Sequence, residues 1–498
     1  MKRWVLLALV LGIGAAHAQA PQMVTPPGVV TATGGTTART LAARAADVVN
    51  AKDYGVKCDG VTDDTAALQA FLSAITAGKR GVLPEGTCLF SNTLTLANSQ
   101  ATLIGSGAYS TVLKYVGAST TSDLLLIGGQ AATTLNLDIE GFRVASVPQM
   151  TVAASAAIHV KNVGRSIFRN VIADGQDGNL HLWNGFWFDQ VDDVHLMGFE
   201  AWAQNDALRV NGTVGSGAKA DLLISHGKIG NSAVGVHVGG AFGGFVAETT
   251  DDIGNGTNVL VDTALASENN RELFFGDTFV VDSAATGDNY LINDALANSG
   301  TIAINGWVAS SGAGNGIHVQ NWKSSRISVA SPIIFNNHLD GIRVDDASAA
   351  LWISPHTIIA NNGGWGVNAT VATNNLTGGS LPNANTLGTY STDANIESFS
   401  ATTLGTGFQK FPNGAIHQWG AVSVTGAANT FLSVNANFPV PFPSHVISVT
   451  PVIHSWANGA MQMTVDYDGG NLTSATFVLV ASGTVTTAQP IQWDAWGN

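Results

Sequence analysis

Residues 181–228 crowd together side chains that could bind and cut a sugar chain. Trp183, Trp187 and Trp202 offer flat apolar faces, and among them stand Asp189, Asp192, Asp193, Glu200 and Asp206. Glycoside hydrolysis needs two carboxylates flanking one bond, about 5–5.5 Å apart in retaining enzymes and about 6.5–9.5 Å in inverting ones. One carboxyl needs a raised pKa, most easily supplied by apolar neighbours. Glu200, beside Phe199 and close to Trp202, fits best, with Asp206 or Asp189 as its partner. The bland reading of these acids is structural. Lys228 follows Glu200 by one repeat, and Lys161 precedes Asp189 by one, so both acids could be ion pairs between repeats. Asp192-Asp193 falls where Asp is simply a good turn former. The candidate catalytic residues are therefore Glu200, Asp206 and Asp189, and the candidate substrate contacts are Trp183, Trp187, Trp202 and Lys228.

Other constellations are thinner. A lyase would need acids for a Ca²⁺ ion and an Arg or Lys base, and Glu248, Asp251 and Asp252 near Arg271 are the alternative set for it. His159, His195, His237 and His318 sit on strand-like segments, mostly amid apolar neighbours, and read as packing. No Cys/His spacing suits a metal, so neither a metal nor a cofactor is expected. Cys58 and Cys88 are the two cysteines. Their disulfide and two buried thiols are both open readings.

The elements that must position these residues come from an imperfect repeat. Short strands recur as AIHV at 157, GFWF at 185, ALRV at 207, GVHV at 235, NVLV at 258, NYLI at 289, GIHV at 316, GIRV at 341 and GVNA at 366. A period of about 26 residues suits one coil of a parallel β-helix. PIIFNN and HTIIANN place Asn336/Asn337 and Asn361/Asn362 one period apart. Stacked Asn side chains can form amide ladders. Coils stack about 4.8 Å apart, which makes carboxylate pairs easy to build and any single pairing weakly specified.

The two ends differ from the array. Leu68, Phe71, Leu72 and Ile75 form one apolar stripe at helical spacing, behind Thr62 or Asp63 as a cap and before Gly78 as a stop. An amphipathic helix there suits a lid on the open end of a solenoid. Before it, residues 1–20 read as a signal peptide with Ala16-His17-Ala18 and Ala18-Gln19-Ala20 as cleavage sites, and residues 21–49 as a linker or neck. The array is assigned to residues 50–385. From 407 to 498, alternating strands broken by Pro and Gly predict a separate antiparallel β domain.

Composition bounds the rest. Hydrophobic residues make up 45% of the chain, enough for a large core, and charged residues only 11%. The net charge of −14 argues against a nucleic-acid partner. No segment after the first reaches the length of a membrane span.

Asp53-Tyr54-Gly55, Cys58-Asp59-Gly60, Thr62-Asp63-Asp64-Thr65 and Leu83-Pro84-Glu85-Gly86-Thr87 resemble the opening of the pectate-lyase superfamily, which includes polygalacturonase-like proteins and many phage tailspikes. Thr-Gly-Gly-Thr-Thr-Ala-Arg-Thr-Leu ahead of it is similar to a tailspike neck. Gln409-Lys410-Phe411, Asn413-Gly414, Gln418-Trp419-Gly420, Phe438-Pro439, Phe442-Pro443 and the terminal Trp493-Asp494-Ala495-Trp496-Gly497 resemble tail-fibre tips. The resemblance implies an all-β chain: a right-handed single-stranded parallel β-helix with an N-terminal capping helix and a small antiparallel C-terminal domain. It implies a homotrimer that meets a cell-surface or extracellular polysaccharide, as a depolymerase with glycosidase ahead of lyase, or as a non-catalytic receptor-binding fibre. The polygalacturonase elements Asn-Thr-Asp, Gly-His-Gly and Arg-Ile-Lys are absent, so that family's catalytic residues are not carried over. The hydrophobic start favours secretion or the cell surface, with no membrane span once it is cleaved; a phage or prophage tail is the alternative.

Overall fold

The structure is a computed structural model. It describes residues 29–31, 36–121, 123–153, 155–174, 180–211, 221–239, 244–262, 270–294, 299–322, 326–354, 356–370, 373–378, 381–383, 385–390, 394–397, 399–401, 407–410, 415–426, 431–452, 461–466, 472–481 and 485–498. The expected signal peptide lies outside these residues, as do Phe411, Asn413 and Gly414 of the tip-like motif and the side chain of Arg271. Among the described residues no helix is long and apolar enough to cross a membrane.

The chain winds as a right-handed parallel β-solenoid of about ten turns. One flank is a twelve-stranded parallel sheet running from Leu94–Leu96 to Gly388–Tyr390, and the rest of the wall is a larger parallel sheet that bends around the corners. Every step of the sequence repeat is a register pair. Ile158 pairs with Phe186, Phe186 with Leu208, Leu208 with Val236, and so on through Val259, Tyr290, Ile317, Ile342 and Val367. All of these side chains point inward and are buried. Each aliphatic or Phe side chain so buried contributes roughly 1.5–3 kcal/mol, and stacking like on like extends one core through the array.

The Asn expectation is met one residue along. Asn336 and Asn361 take positive φ at exposed corners. Their neighbours turn inward: Asn289 Nδ2 donates to Asn337 Oδ1 at 2.9 Å, and Asn337 Nδ2 to Asn362 Oδ1 at 2.8 Å. Asn258 extends this ladder at one end and Asn385 at the other. The amides pair with one another and with backbone, which makes buried polar side chains tolerable.

The lid helix spans Thr65–Ala74 and buries Leu68, Phe71 and Leu72. Its N-cap residue is Asp64, one place later than expected. Asp64 accepts backbone N–H groups of Lys57 and Cys58, tying the lid to the preceding loop, while Asp63 Oδ1 accepts the N–H of Thr65. The helix stops at Ala74, short of Gly78. Cys58 and Cys88 are joined as a disulfide beside it. From Phe399–Ala401 onward the strands run antiparallel, in a five-stranded and a three-stranded sheet. These enclose a second core around Phe442, Phe477 and Trp493.

Candidate functional site

One corner of the solenoid borders a cleft that gathers several polar side chains. Gly141, Asn170, Gly198 and His226 occupy it on four successive coils, at sequence spacings of 29, 28 and 28. All four have positive φ, between 51° and 76°. Gly and Asn tolerate this left-handed backbone best. At Gly198 a Cβ would lie 2.7 Å from Asn170 Oδ1, so the stacked corner also demands a residue without one.

Beside this corner opens a cleft of about 580 Å³, lined by Tyr109, Glu140, Asn170, Glu200, His226 and Lys228 among others. Glu200 lies on the short strand Glu200–Ala201, half-buried over the buried Phe199. Tyr109, on the loop after Thr102–Ile104, donates its hydroxyl to Glu200 Oε1 at 2.5 Å. That hydrogen bond, burial and the Glu200 charge push the phenol up to about 12, so it stays a neutral donor. Glu140 Oε2 stands 3.5 Å from Arg169 Nη2, which holds Asp138 more closely at 2.6 Å. Glu140 registers with Arg169 and Arg169 with Met197, three residues before Glu200. The two glutamates are thus two coils apart, about 10 Å along the axis at the backbone.

Glu200 and Lys228 occupy equivalent points on adjacent coils, as their spacing implies. They form no ion pair with each other among the described residues, and Lys228 is exposed. Lys228 also lines a second hollow of about 240 Å³ with Trp202, Gly254, Asp282 and Ser283.

Asp189 and Asp206 do not join Glu200. Both belong to the twelve-stranded sheet and both are buried, at 4% and 1% exposure. Asp189 Oδ2 lies 3.7 Å from Lys161 Nζ, the structural reading of that acid. Asp206 Oδ2 holds His237 Nδ1 at 2.9 Å. The expected pairing of Glu200 with either aspartate is therefore not assembled; Glu140 takes the second place in the cleft.

The histidines depart further from expectation. His237 is held between Asp206 and Asp262, each at 2.9 Å from one ring nitrogen. His318 is held in the same way between Asp288 at 2.8 Å and Asp345 at 2.9 Å. His159 sits between Asp123 at 3.0 Å and Asp189 at 3.9 Å, as an ion pair without hydrogen-bond alignment. Burial alone would lower each imidazole pKa. The flanking carboxylates outweigh it, raising all three and taking His237 to about 9. These imidazoles, each set between two carboxylates, stand three coils apart on one outer row and are not apolar packing.

Trp187 lies in that same row, and its faces are taken. The His159 ring stacks on it at 4.4 Å and 4°, and the Arg209 guanidinium lies 4.9 Å from its centroid. It cannot present a free face to a sugar. Trp183 packs against the core. Trp202 lines the hollow that shares Lys228 with the cleft. The alternative acid set also separates, because Asp252 is fully buried while Glu248 and Asp251 are exposed.

Sequence reasoning missed Tyr109, Glu140, Asn170 and His226. The corner residues had a readable signal, Gly or Asn at one-coil spacing. Tyr109 had none, since it reaches Glu200 across 91 residues.

Residues 48–233 match the family model described as rhamnogalacturonase A/epimerase, pectate lyase-like. Residues 410–498 match that of the tail fiber protein gp53-like, C-terminal. No curated protein matches the chain. Among solved structures, the tailspike protein gp49 from Pseudomonas phage LKA1 is similar at 12% identity, over 90% of this chain and 99% of that one, with a TM-score of 0.50. Tailspike protein 3 of bacteriophage CBA120 is similar at 14% identity, over 75% of this chain and 60% of that one, with a TM-score of 0.51. At such identities the likeness is one of fold.

Proposed function

We propose that this chain binds an extended cell-surface or extracellular polysaccharide along the outside of its solenoid and hydrolyses it in the Tyr109–Glu200 cleft. The observation that carries the reading is that Glu140 and Glu200 line one cleft two coils apart, with Tyr109 fixing Glu200. Carboxyl groups on long side chains at that axial offset can close to the span that leaves room for a water between them. In the proposed step a water attacks the anomeric carbon and the glycosidic C–O bond breaks. One of the two glutamates takes the water's proton while the other gives a proton to the departing oxygen. The tailspike fold and the tail-fibre match at residues 410–498 favour a homotrimer on a phage or prophage tail over a secreted protein.

The test is incubation of the full chain with capsular or exopolysaccharide, reading reducing ends and the absorbance of unsaturated uronates. New reducing ends are expected from the wild type and not from Glu200→Gln or Glu140→Gln, with polymer binding kept. Unsaturated products would assign elimination instead. Binding without any cleavage would favour the receptor-binding fibre that the tail-fibre match also suits. Light scattering should give about three times the 51.3 kDa chain mass, falling on deletion of residues 407–498.

A further inference from the structure

The cleft continues along the solenoid. Glu200 registers with Lys228, Lys228 with Asp251, Asp251 with Val280 and Val280 with Trp307. The second hollow shares Lys228 with the cleft and reaches Asp282 and Ser283. Asp282 registers with Ala309, on the same strand as Trp307. Cleft, hollow and Trp307 therefore follow one row parallel to the axis. Trp307 stands four coils from Glu200, about 19 Å away at the coil spacing.

Trp307 differs from Trp187 in what surrounds it. It is 40% exposed, its register neighbour is the aliphatic Val280, and no cation lies over the ring among the described residues. Phe335 meets it at 5.8 Å and 82°, an edge contact that sets the ring's orientation. A lone exposed aromatic would need no explanation. This one lies in line with a cleft and a hollow that already share a residue.

We infer that Trp307 is a distal stacking subsite for the same polysaccharide, and that the polymer runs parallel to the solenoid axis from Glu200 over Lys228 to Trp307. The inference rests on the polysaccharide reading of the cleft. A straight row of coils offers a regular polymer the same direction at each step, and the apolar C–H face of one sugar ring covers the indole. Asp282 and Ser283 supply polar partners for hydroxyls between the two ends. Fragments too short to span the distance from Glu200 gain nothing from Trp307.

The experiment compares Trp307→Ala, Trp307→Phe and the wild type on intact polysaccharide and on short size-fractionated fragments. Trp307→Ala should raise KM for the polymer about three- to tenfold, the range of an aromatic contact. Its kcat should hold, its turnover of short fragments should not change, and Trp307→Phe should recover part of the loss. Calorimetry of polymer binding to Glu200→Gln, with and without Trp307→Ala, should show the same ratio where cleavage is silent. An unchanged polymer KM and affinity overturns the inference, as does an equal loss on short fragments. A changed assembly mass in Trp307→Ala also overturns it, since the ring would then be a contact between chains. If Trp307→Ala weakens polymer binding while Glu200→Gln still cleaves, the track stands and the catalytic reading of Glu200 falls. A chain that binds no polymer overturns both.

Discussion

Tyr109 Oη lies 2.5 Å from Glu200 Oε1, joining a loop on an early coil to a strand 91 residues later. The phenol is held neutral far above physiological pH, so it serves as a fixed hydrogen-bond donor that orients one carboxylate oxygen. Tyr109→Phe removes the donor and keeps the ring. Cleavage should fall about tenfold, the worth of one hydrogen bond to a charged group. Because Tyr109 is 67% exposed, the Tm should move little. Initial rates and thermal melts on the same preparation check this, and an unchanged rate would remove Tyr109 from the site.

Trp187 should behave as a structural residue. Its ring lies between His159 and Arg209 on the flanking coils, within reach of cation–π attraction. Trp187→Ala should cost about 1–3 kcal/mol of stability, less than full burial of a Trp would imply. Polysaccharide affinity should be unchanged. A variant with wild-type melting and lost binding would restore Trp187 as a sugar contact.

His237 makes stability depend on pH on the alkaline side. Its folded pKa is raised to about 9 from an ordinary 6.5, because Asp206 and Asp262 outweigh the effect of burial. Arg209 also faces Asp206, at 3.8 Å. A group with a raised folded pKa contributes fully below its unfolded value, so this contribution is complete below about pH 6.5. It is lost as pH rises through about 9. The Tm should therefore fall between pH 7 and 9.5, and His237→Gln should flatten that slope while lowering the Tm at pH 6. Parallel slopes in the two proteins would count against the rung.

Asp252 works against the fold as pH rises. It is wholly buried; its Oδ1 accepts from Asn255 at 2.7 Å, and its Oδ2 has no partner among the described residues. Burial pushes its pKa well above the usual carboxylate range. Stability from the protonated form is complete below about pH 3.9 and is lost as pH rises toward the folded pKa. Asp252→Asn keeps the Oδ1 acceptor and removes the ionisation. Its Tm should exceed the wild type by a margin that grows from pH 4 to pH 8, reaching at least about 1 kcal/mol, or about 2 °C. Melting curves across that range test it, and a constant difference would place the pH dependence elsewhere.

The solenoid was legible in the sequence down to its register. The strands at 157, 185, 207 and onward align residue for residue with the observed pairs, because each coil must present an apolar residue inward at the same point. Glu200 over Lys228 and Asp189 over Lys161 followed from the same period. Phe71 in the lid followed from helical spacing. The candidate site was only half legible. Glu200, Lys228 and Trp202 were named and lie together along one groove. Asp189, Asp206 and Trp187 were named with them because they are near in sequence, yet they belong to another sheet.

The sequence by itself determined which residues repeat, which face inward, and how far apart along the axis any two stand, since a period is a one-dimensional property. Tertiary structure alone decided which outward residues share a flank and what covers them. Each coil turns its chain through several directions, so Glu200 and Asp206, six positions apart, leave on different sheets, while Tyr109, 91 positions away, returns to Glu200's corner. The same winding sets His237 between two aspartates on flanking coils, turning what reads as a packed histidine into a half-buried, carboxylate-paired one. A side chain's chemistry here depends on the coils above and below it, and that environment exists only once the chain has closed upon itself.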